Sequence, residues 1–310
     1  MSSDSWAGSS RHRLGDRAFA GTTRAAGLVI LLALVGVVVF LTSEGLPALR
    51  AGALDLRGHT SLVGYLWPLV FGTLLAAALA MLIAAPLSIG VALAVSHFTP
   101  RLIGRAIGYV VDLLAAIPSV VYGLWGIGVL GPWLVPAYRW LGEHLSWLPF
   151  FSGPTSPTGR TILTAAIVLA IMVVPIVTAI AREIFAQTPT LHEEAALALG
   201  ATRWEMVRLA VLPYARSGLV SAVMLGLGRA LGETMAVAMV LSASGVVTFD
   251  LTSSTNPSTI AANIALGFPE STGLAVNALI ASGLVLFAIT FVVNVAARSI
   301  VATRTRSTSR

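Results

Sequence analysis

Six stretches of this chain, near residues 25–42, 66–97, 106–131, 161–182, 217–243 and 273–297, are long and almost purely apolar. Each is close to or beyond the roughly 18–20 residues that a helix needs to cross a bilayer. Backbone groups in hydrocarbon must pair within their own segment, so such runs fold as helices. Only 10% of the 310 residues are charged and 56% are hydrophobic, whereas soluble domains are about 25% charged. The expected fold is therefore all-α: a polytopic membrane protein with six transmembrane helices spread over residues 25–300. The second run is longer than a span requires, about 48 Å at 1.5 Å per residue, and Pro86 within it predicts a kink. The Ser-rich residues 1–24 and the segment 301–310 read as disordered tails.

The arginines orient these spans. All 19 basic residues are arginine. Fourteen fall in the N-terminal tail, the second-to-third and fourth-to-fifth connections and the C-terminal tail. Arg50, Arg57, Arg139 and Arg160 are the four in the opposite set. By the positive-inside rule both termini are expected in the cytoplasm, so the sequence pI near 10.7 reports topology and not a nucleic-acid partner. A basic region before the first apolar run has the look of a signal peptide, but no convincing cleavage site follows, and an uncleaved anchor is expected. Trp133, Trp140 and Trp147 recur every seven residues, which suits a short segment lying in the outer interface.

Composition excludes several chemistries. Without cysteine there is no disulfide, thiolate nucleophile or cysteine-held metal. Without lysine there is no Walker A loop. His12, His59, His97, His144 and His192 are scattered and form no metal-binding pair. No nucleophile–base constellation suggests an enzyme.

The cytoplasmic connection EIFAQTPTLHEEAALALGATRWEMVRLAVLPYAR, residues 183–216, carries the clearest local signals. Pro189 behind Thr188 reads as a first helical position after a capping residue. Glu193 and Glu194 fall early in that helix, where its dipole favours negative charge. Gly200 is suited to the left-handed residue that stops it. Thr202 and Glu205 form a T-x-x-E capping box for a second helix running to Pro213. Two short helices meeting around Gly200 are the expectation. Glu194, Ala195, Ala196, Gly200, Leu212 and Pro213 resemble the EAA loop of ABC importer permeases, E-A-A-x3-G-x9-I-x-L-P, with Ala210 where Ile is usual. The resemblance implies that the first helix, within about 188–213, docks on a cytoplasmic ATPase.

Within the fifth run, GRALGETMAV places Arg229 and Glu233 four residues apart, on one face of a continuous helix. Each charge near the bilayer centre costs about 2.5–3.5 kcal/mol, so both should face the protein interior. An internal ion pair is one reading. The other gives Arg229 to an anion crossing the membrane, with Glu233 tuning it or accepting an O–H from a protonated oxyanion. Asp112, near the start of the third run, reads as interfacial. Pro118, Gly123, Gly126 and Gly128 in that run suggest a bend and close helix packing.

AIPSVVYGLW at 116–125 and GRALGETMAV at 228–237 resemble signatures of phosphate importer permeases of the PstC type. The PstA type usually reads GETAP where this chain has GETMA. The resemblance, spanning the first run to the sixth, implies a type I importer permease of MetI-like architecture in the bacterial plasma membrane, working by alternating access. It also implies a second, PstA-like permease as heterodimer partner, a cytoplasmic ATPase dimer that binds ATP and Mg, and an extracytoplasmic phosphate-binding protein. This chain itself would hold no cofactor. The alternatives are a permease for sulfate or molybdate, or a secondary transporter working without ATP.

Overall fold

The structure, a computed structural model, describes residues 10–50 and 61–307. Six of its helices are long and apolar enough to cross a membrane. They are α1 (Ser10–Arg50), α2 (Leu62–Phe98), α4 (Ser119–His144), α5 (Ile162–Ala186), α7 (Arg203–Leu231) and α10 (Leu274–Ser307). Between them lie α3 (Arg101–Ala115), α6 (Thr190–Ala198), α8 (Met235–Val240) and α9 (Ile260–Gly267). The backbone of 10–24 and 301–307 belongs to α1 and α10, so helix reaches into both segments assigned to tails; residues 1–9 and 308–310 lie outside the described residues.

The third apolar run is divided differently from the sequence reading. Its first part belongs to α3, which buries Gly104, Gly108 and Val111 and packs against α5. Pro118, extended at ψ 140°, stands immediately before α4, because proline lacks the N–H that would continue α3 and restricts the residue before it. The third span therefore starts at Ser119, and Pro118 heads a helix instead of bending one. Trp133 and Trp140 lie on this span, 74% and 54% exposed, and not on a separate interfacial segment. His144 stacks on Trp140 at 4.7 Å.

Two spans carry a wide turn just before a proline. In α4 the Gly131 N–H reaches back to Gly126 O ahead of Pro132, and in α7 the Leu212 N–H reaches back to Val207 O ahead of Pro213. Proline offers no N–H and its ring crowds the preceding turn; a π turn re-pairs carbonyls locally and lets the helix continue. The second helix of the 183–216 connection thus does not stop at Pro213. It runs through it into the fifth span.

The centre of the bundle is α5: 67% of its most apolar stretch is buried, against none of the corresponding stretch of α1. Ala76, Ala77, Ala80 and Ala84 of α2 meet Ala165, Leu169, Val173 and Val177 of α5 in one core. Small residues at such a seam let two backbones approach closely where hydrocarbon gives helices no hydrophobic reason to associate. At the end of the bundle away from α6, the loops 145–161 and 241–259 are tied together. The buried Asp250 carboxylate accepts the N–H groups of Gly153, Thr252 and Ser253. Asn256 accepts the Ile162 N–H at 3.0 Å and donates to Ser253 O at 2.9 Å.

Candidate functional site

The turn between α6 and α7 forms as its sequence dictates. Gly200 holds φ +87°. Its N–H bonds Leu197 O at 3.0 Å and the Ala201 N–H bonds Ala196 O at 3.2 Å, so the last carbonyls of α6 are satisfied. Thr202 and Glu205 complete the capping box: the Thr202 N–H meets the Glu205 carboxylate at 2.8 Å and the Glu205 N–H meets the Thr202 hydroxyl at 3.3 Å. One detail differs. Pro189 flanks the helix with ψ 125° instead of opening it, and the buried Thr188 hydroxyl makes no cap and has no partner.

No side chain of α6 is buried. Glu194 and Ala195 are exposed, and so are Leu191, Leu197 and Leu199. Ala195, Ala196, Gly200 and Pro213 line a common recess of about 790 Å³ between α6 and the head of α7. Leu212 is half-buried on the other side, against the cluster of Phe185, Val207 and Val211. Four motif residues thus share one concave surface, Leu212 anchors it, and Glu194 stands beside it.

The Arg229–Glu233 region departs from the sequence reading. The helix α7 ends at Leu231, Gly232 follows it, and α8 begins at Met235. Arg229 is on the last turn of α7 and Glu233 is in the break, so they do not share a continuous helix face. Among the described residues the one salt bridge within 4.0 Å is His97–Glu193, and no Arg229–Glu233 pair forms. Glycine weakens a helix interior by about 1 kcal/mol, and the Glu233 carboxylate accepts the Ala236 N–H at 3.2 Å, capping α8 instead of pairing across a turn. Glu233 is buried at 8% exposure; Arg229 is exposed and lines a recess of about 620 Å³ with Met224 and Gly228.

The short α8 packs against α4. A Cβ on Gly123 would come within 3.1 Å of the Ala236 Cα, and one on Gly126 within 2.7 Å of a Val240 methyl. Gly128 meets nothing within 4 Å and takes no part in this packing. The Tyr122 hydroxyl donates to Leu114 O at 2.9 Å. The segments 116–125 and 228–237, far apart in sequence, therefore form one contact.

Sequence reasoning missed a further link. His97 Nε2 lies 3.4 Å from Glu193 Oε1, and its ring meets Phe185 edge-on at 5.9 Å. This ties the end of α2 to α6 beside a crevice that holds Arg101, Arg105, Asp112 and Arg182. Partners 96 positions apart leave no local pattern to find. Among the described residues no three His, Asp or Glu side chains are grouped as metal ligands.

Comparison with known proteins places this architecture. Residues 84–306 match the family described as binding-protein-dependent transport system inner membrane component. The "Phosphate transport system permease protein PstC 2" of Mycobacterium tuberculosis is 45% identical over 300 residues, covering 93% of this chain and 92% of that one. The "Phosphate transport system permease protein PstC" of Mesorhizobium japonicum is 40% identical over 300 residues, 93% of this chain and 90% of its own. A bacterial ABC transporter that imports alginate superposes with TM-score 0.58 at 17% identity, over 93% of this chain and 99% of that chain. The inward-facing MetNI methionine ABC transporter does so with TM-score 0.52 at 17% identity, over 78% and 95%. Those two likenesses concern the fold alone. With a family match across most of its length and relatives identical at two positions in five or more, the chain belongs to the binding-protein-dependent transport system inner membrane components: it is a multi-pass permease subunit with the ABC importer fold.

Proposed function

We propose that the chain is the membrane-spanning permease of an ATP-driven, high-affinity importer of inorganic phosphate. The observation that carries this is the extent of the likeness to the PstC permeases, 40–45% identity over 300 residues. The meeting of 116–125 with 228–237 beside Arg229 adds a structural reason. Arg229 is exposed on the chain's own surface within a spanning helix, and facing lipid there would cost about 2.5–3.5 kcal/mol. In this reading it faces a second permease or an aqueous path, and it supplies the cation for a passing anion. Glu233 keeps acceptor capacity beyond the Ala236 N–H. A hydrogen phosphate offers it an O–H donor, whereas sulfate at neutral pH has none.

Its partners in this reading are a PstA-like second permease, an extracytoplasmic phosphate-binding protein and a cytoplasmic ATPase dimer. ATP and Mg belong to the ATPase, since a chain without lysine has no Walker A loop. The bare surface of α6, with Glu194, Ala195 and Ala196, docks there; Gly200 sets its angle to α7, and Leu212 and Pro213 pass its motion to the fifth span. The likeness to bacterial PstC permeases supports a bacterial plasma membrane as its location, and the fourteen-to-four division of arginines favours both termini, and α6, on the cytoplasmic side.

The test is uptake of labelled phosphate in bacteria lacking their own importer and supplied with this chain and its partners. Uptake that needs both this chain and the ATPase, and that ignores excess sulfate or molybdate, supports the proposal. Full competition by sulfate makes it a permease for another oxyanion. Uptake that survives loss of the ATPase makes it a secondary transporter.

A further inference from the structure

Two cations share the recess on the surface of α7. Arg229 lies on the last turn of that helix and Arg298 near the end of α10, and both line the cavity of about 620 Å³ together with Ser221 and Asn294. No Asp or Glu lines it. Among the described residues neither arginine has a carboxylate within 4.0 Å. The crevice beside His97 is unlike it: there Arg101, Arg105 and Arg182 are accompanied by Asp112, Glu183 and Glu193, so fixed charges of both signs balance. Two unbalanced cations in one recess repel each other, and an anion between them is favoured by both.

The recess has a direction. It follows α7 from Val220 to Arg229, about 13 Å at 1.5 Å per residue. The helix α7 leaves the α6 end of the bundle and packs against α10, which returns toward that end and carries Asn294 and Arg298 along the recess. Side chains on a helix lean toward its N-terminus, so Arg229 also slants toward the α6 end.

We propose that Arg298 and Asn294 form a second oxyanion site, one step beyond Arg229 toward the α6 end, which receives phosphate after Arg229 releases it. The proposal rests on reading the chain as a phosphate permease. A guanidinium presents two parallel N–H donors to two phosphate oxygens, while the Asn294 amide and the Ser221 hydroxyl donate to those remaining. A path needs sites that attract the ion yet let it go to the next, and a second arginine in the same recess gives the anion leaving Arg229 such a next site. A lipid phosphate headgroup has the same chemistry, so the experiment must separate the two.

The whole transporter, with this chain, its partner permease, ATPase and binding protein, is reconstituted into phosphatidylcholine vesicles as wild type, Arg298→Gln, Arg298→Lys and Asn294→Ala. Phosphate uptake is measured per assembled complex. Arg298→Gln is expected to lower the maximal rate about tenfold while the half-saturating phosphate concentration stays within about twofold, because capture precedes this step. Arg298→Lys should recover part of the rate, and Asn294→Ala, which leaves every charge in place, should lose about threefold. A maximal rate within about twofold of wild type for both Arg298→Gln and Asn294→Ala overturns the site. If the Arg298→Gln defect appears only when phosphatidylglycerol is added, the occupant is a lipid headgroup and the proposal fails. Repeating the series with sulfate separates this failure from failure of the substrate reading. A wild type that carries sulfate in place of phosphate, with Arg298→Gln still slow, overturns the substrate and keeps the second oxyanion site.

Discussion

The turn between α6 and α7 and the break between α7 and α8 are both built on a glycine followed by a glutamate cap, yet different forces hold them. In the first, Gly200 sits at φ +87° and Glu205 caps in the open. Every group that defines this turn lies within a few residues of the others. In the second, Gly232 has an ordinary φ of −95°, and Glu233 is buried at the head of α8, which packs on α4. The first turn is specified by the chain's neighbours along the sequence. The second is specified by packing, with Gly123 and Gly126 admitting α8 to the surface of α4.

This difference predicts which substitutions hurt, and where. The largest expected effect is at Glu233. Glu233→Ala leaves the Ala236 N–H without its acceptor in a buried place and should destabilise the purified complex by about 2–3 kcal/mol. Glu233→Gln keeps an acceptor oxygen and should unfold within a few degrees of wild type; equal destabilisation by both would mean that the charge, not the cap, holds the break. Next comes Gly200→Val. A Cβ there meets nothing within 4 Å, so the whole cost is the left-handed backbone, about 1–2 kcal/mol. It should appear as ATP hydrolysis poorly linked to uptake, with substrate binding intact. Normal coupling in this variant would remove Gly200 from the account of α6.

Smaller effects sharpen the contrast further. Thr202→Ala removes the hydroxyl half of the capping box and should cost about 1 kcal/mol, seen as faster hydrogen exchange at the start of α7. The smallest is Gly232→Ala, whose Cβ would find Gly228 O at an ordinary 3.6 Å and whose φ suits alanine. Its expected change is within about 0.5 kcal/mol. A large loss in melting temperature would show that the break needs its glycine, as the α6–α7 turn does.

The same contrast explains what could be read from the amino-acid sequence. The all-α membrane fold, the number of spans and the α6–α7 turn follow from apolar length, Gly200 and the Thr202–Glu205 box, all signals within one helix or turn. The third span starts later than its apolar run, because apolarity alone does not reveal that Pro118 divides that run between two helices. Arg229 and Glu233 stand out in the sequence as charges in an apolar segment, but their spacing suggests a pair only if the helix continues past Gly232. Whether it does is decided by α4, more than a hundred residues earlier. The His97–Glu193 link and the Asp250–Asn256 ties were illegible for the same reason: each joins segments whose approach only the folded bundle sets.

The central claim is that Arg229, exposed and free of any carboxylate partner among the described residues, provides the cation that phosphate meets in the membrane. Its most direct test is labelled phosphate uptake by cells carrying wild-type or Arg229→Gln protein, with the amount of protein in the membrane measured in parallel. The account predicts that the variant reaches the membrane at normal levels and loses uptake by about a hundredfold, the effect of about 2.7 kcal/mol. Uptake near the wild-type rate would make Arg229 a structural residue and leave the anion path without its cation.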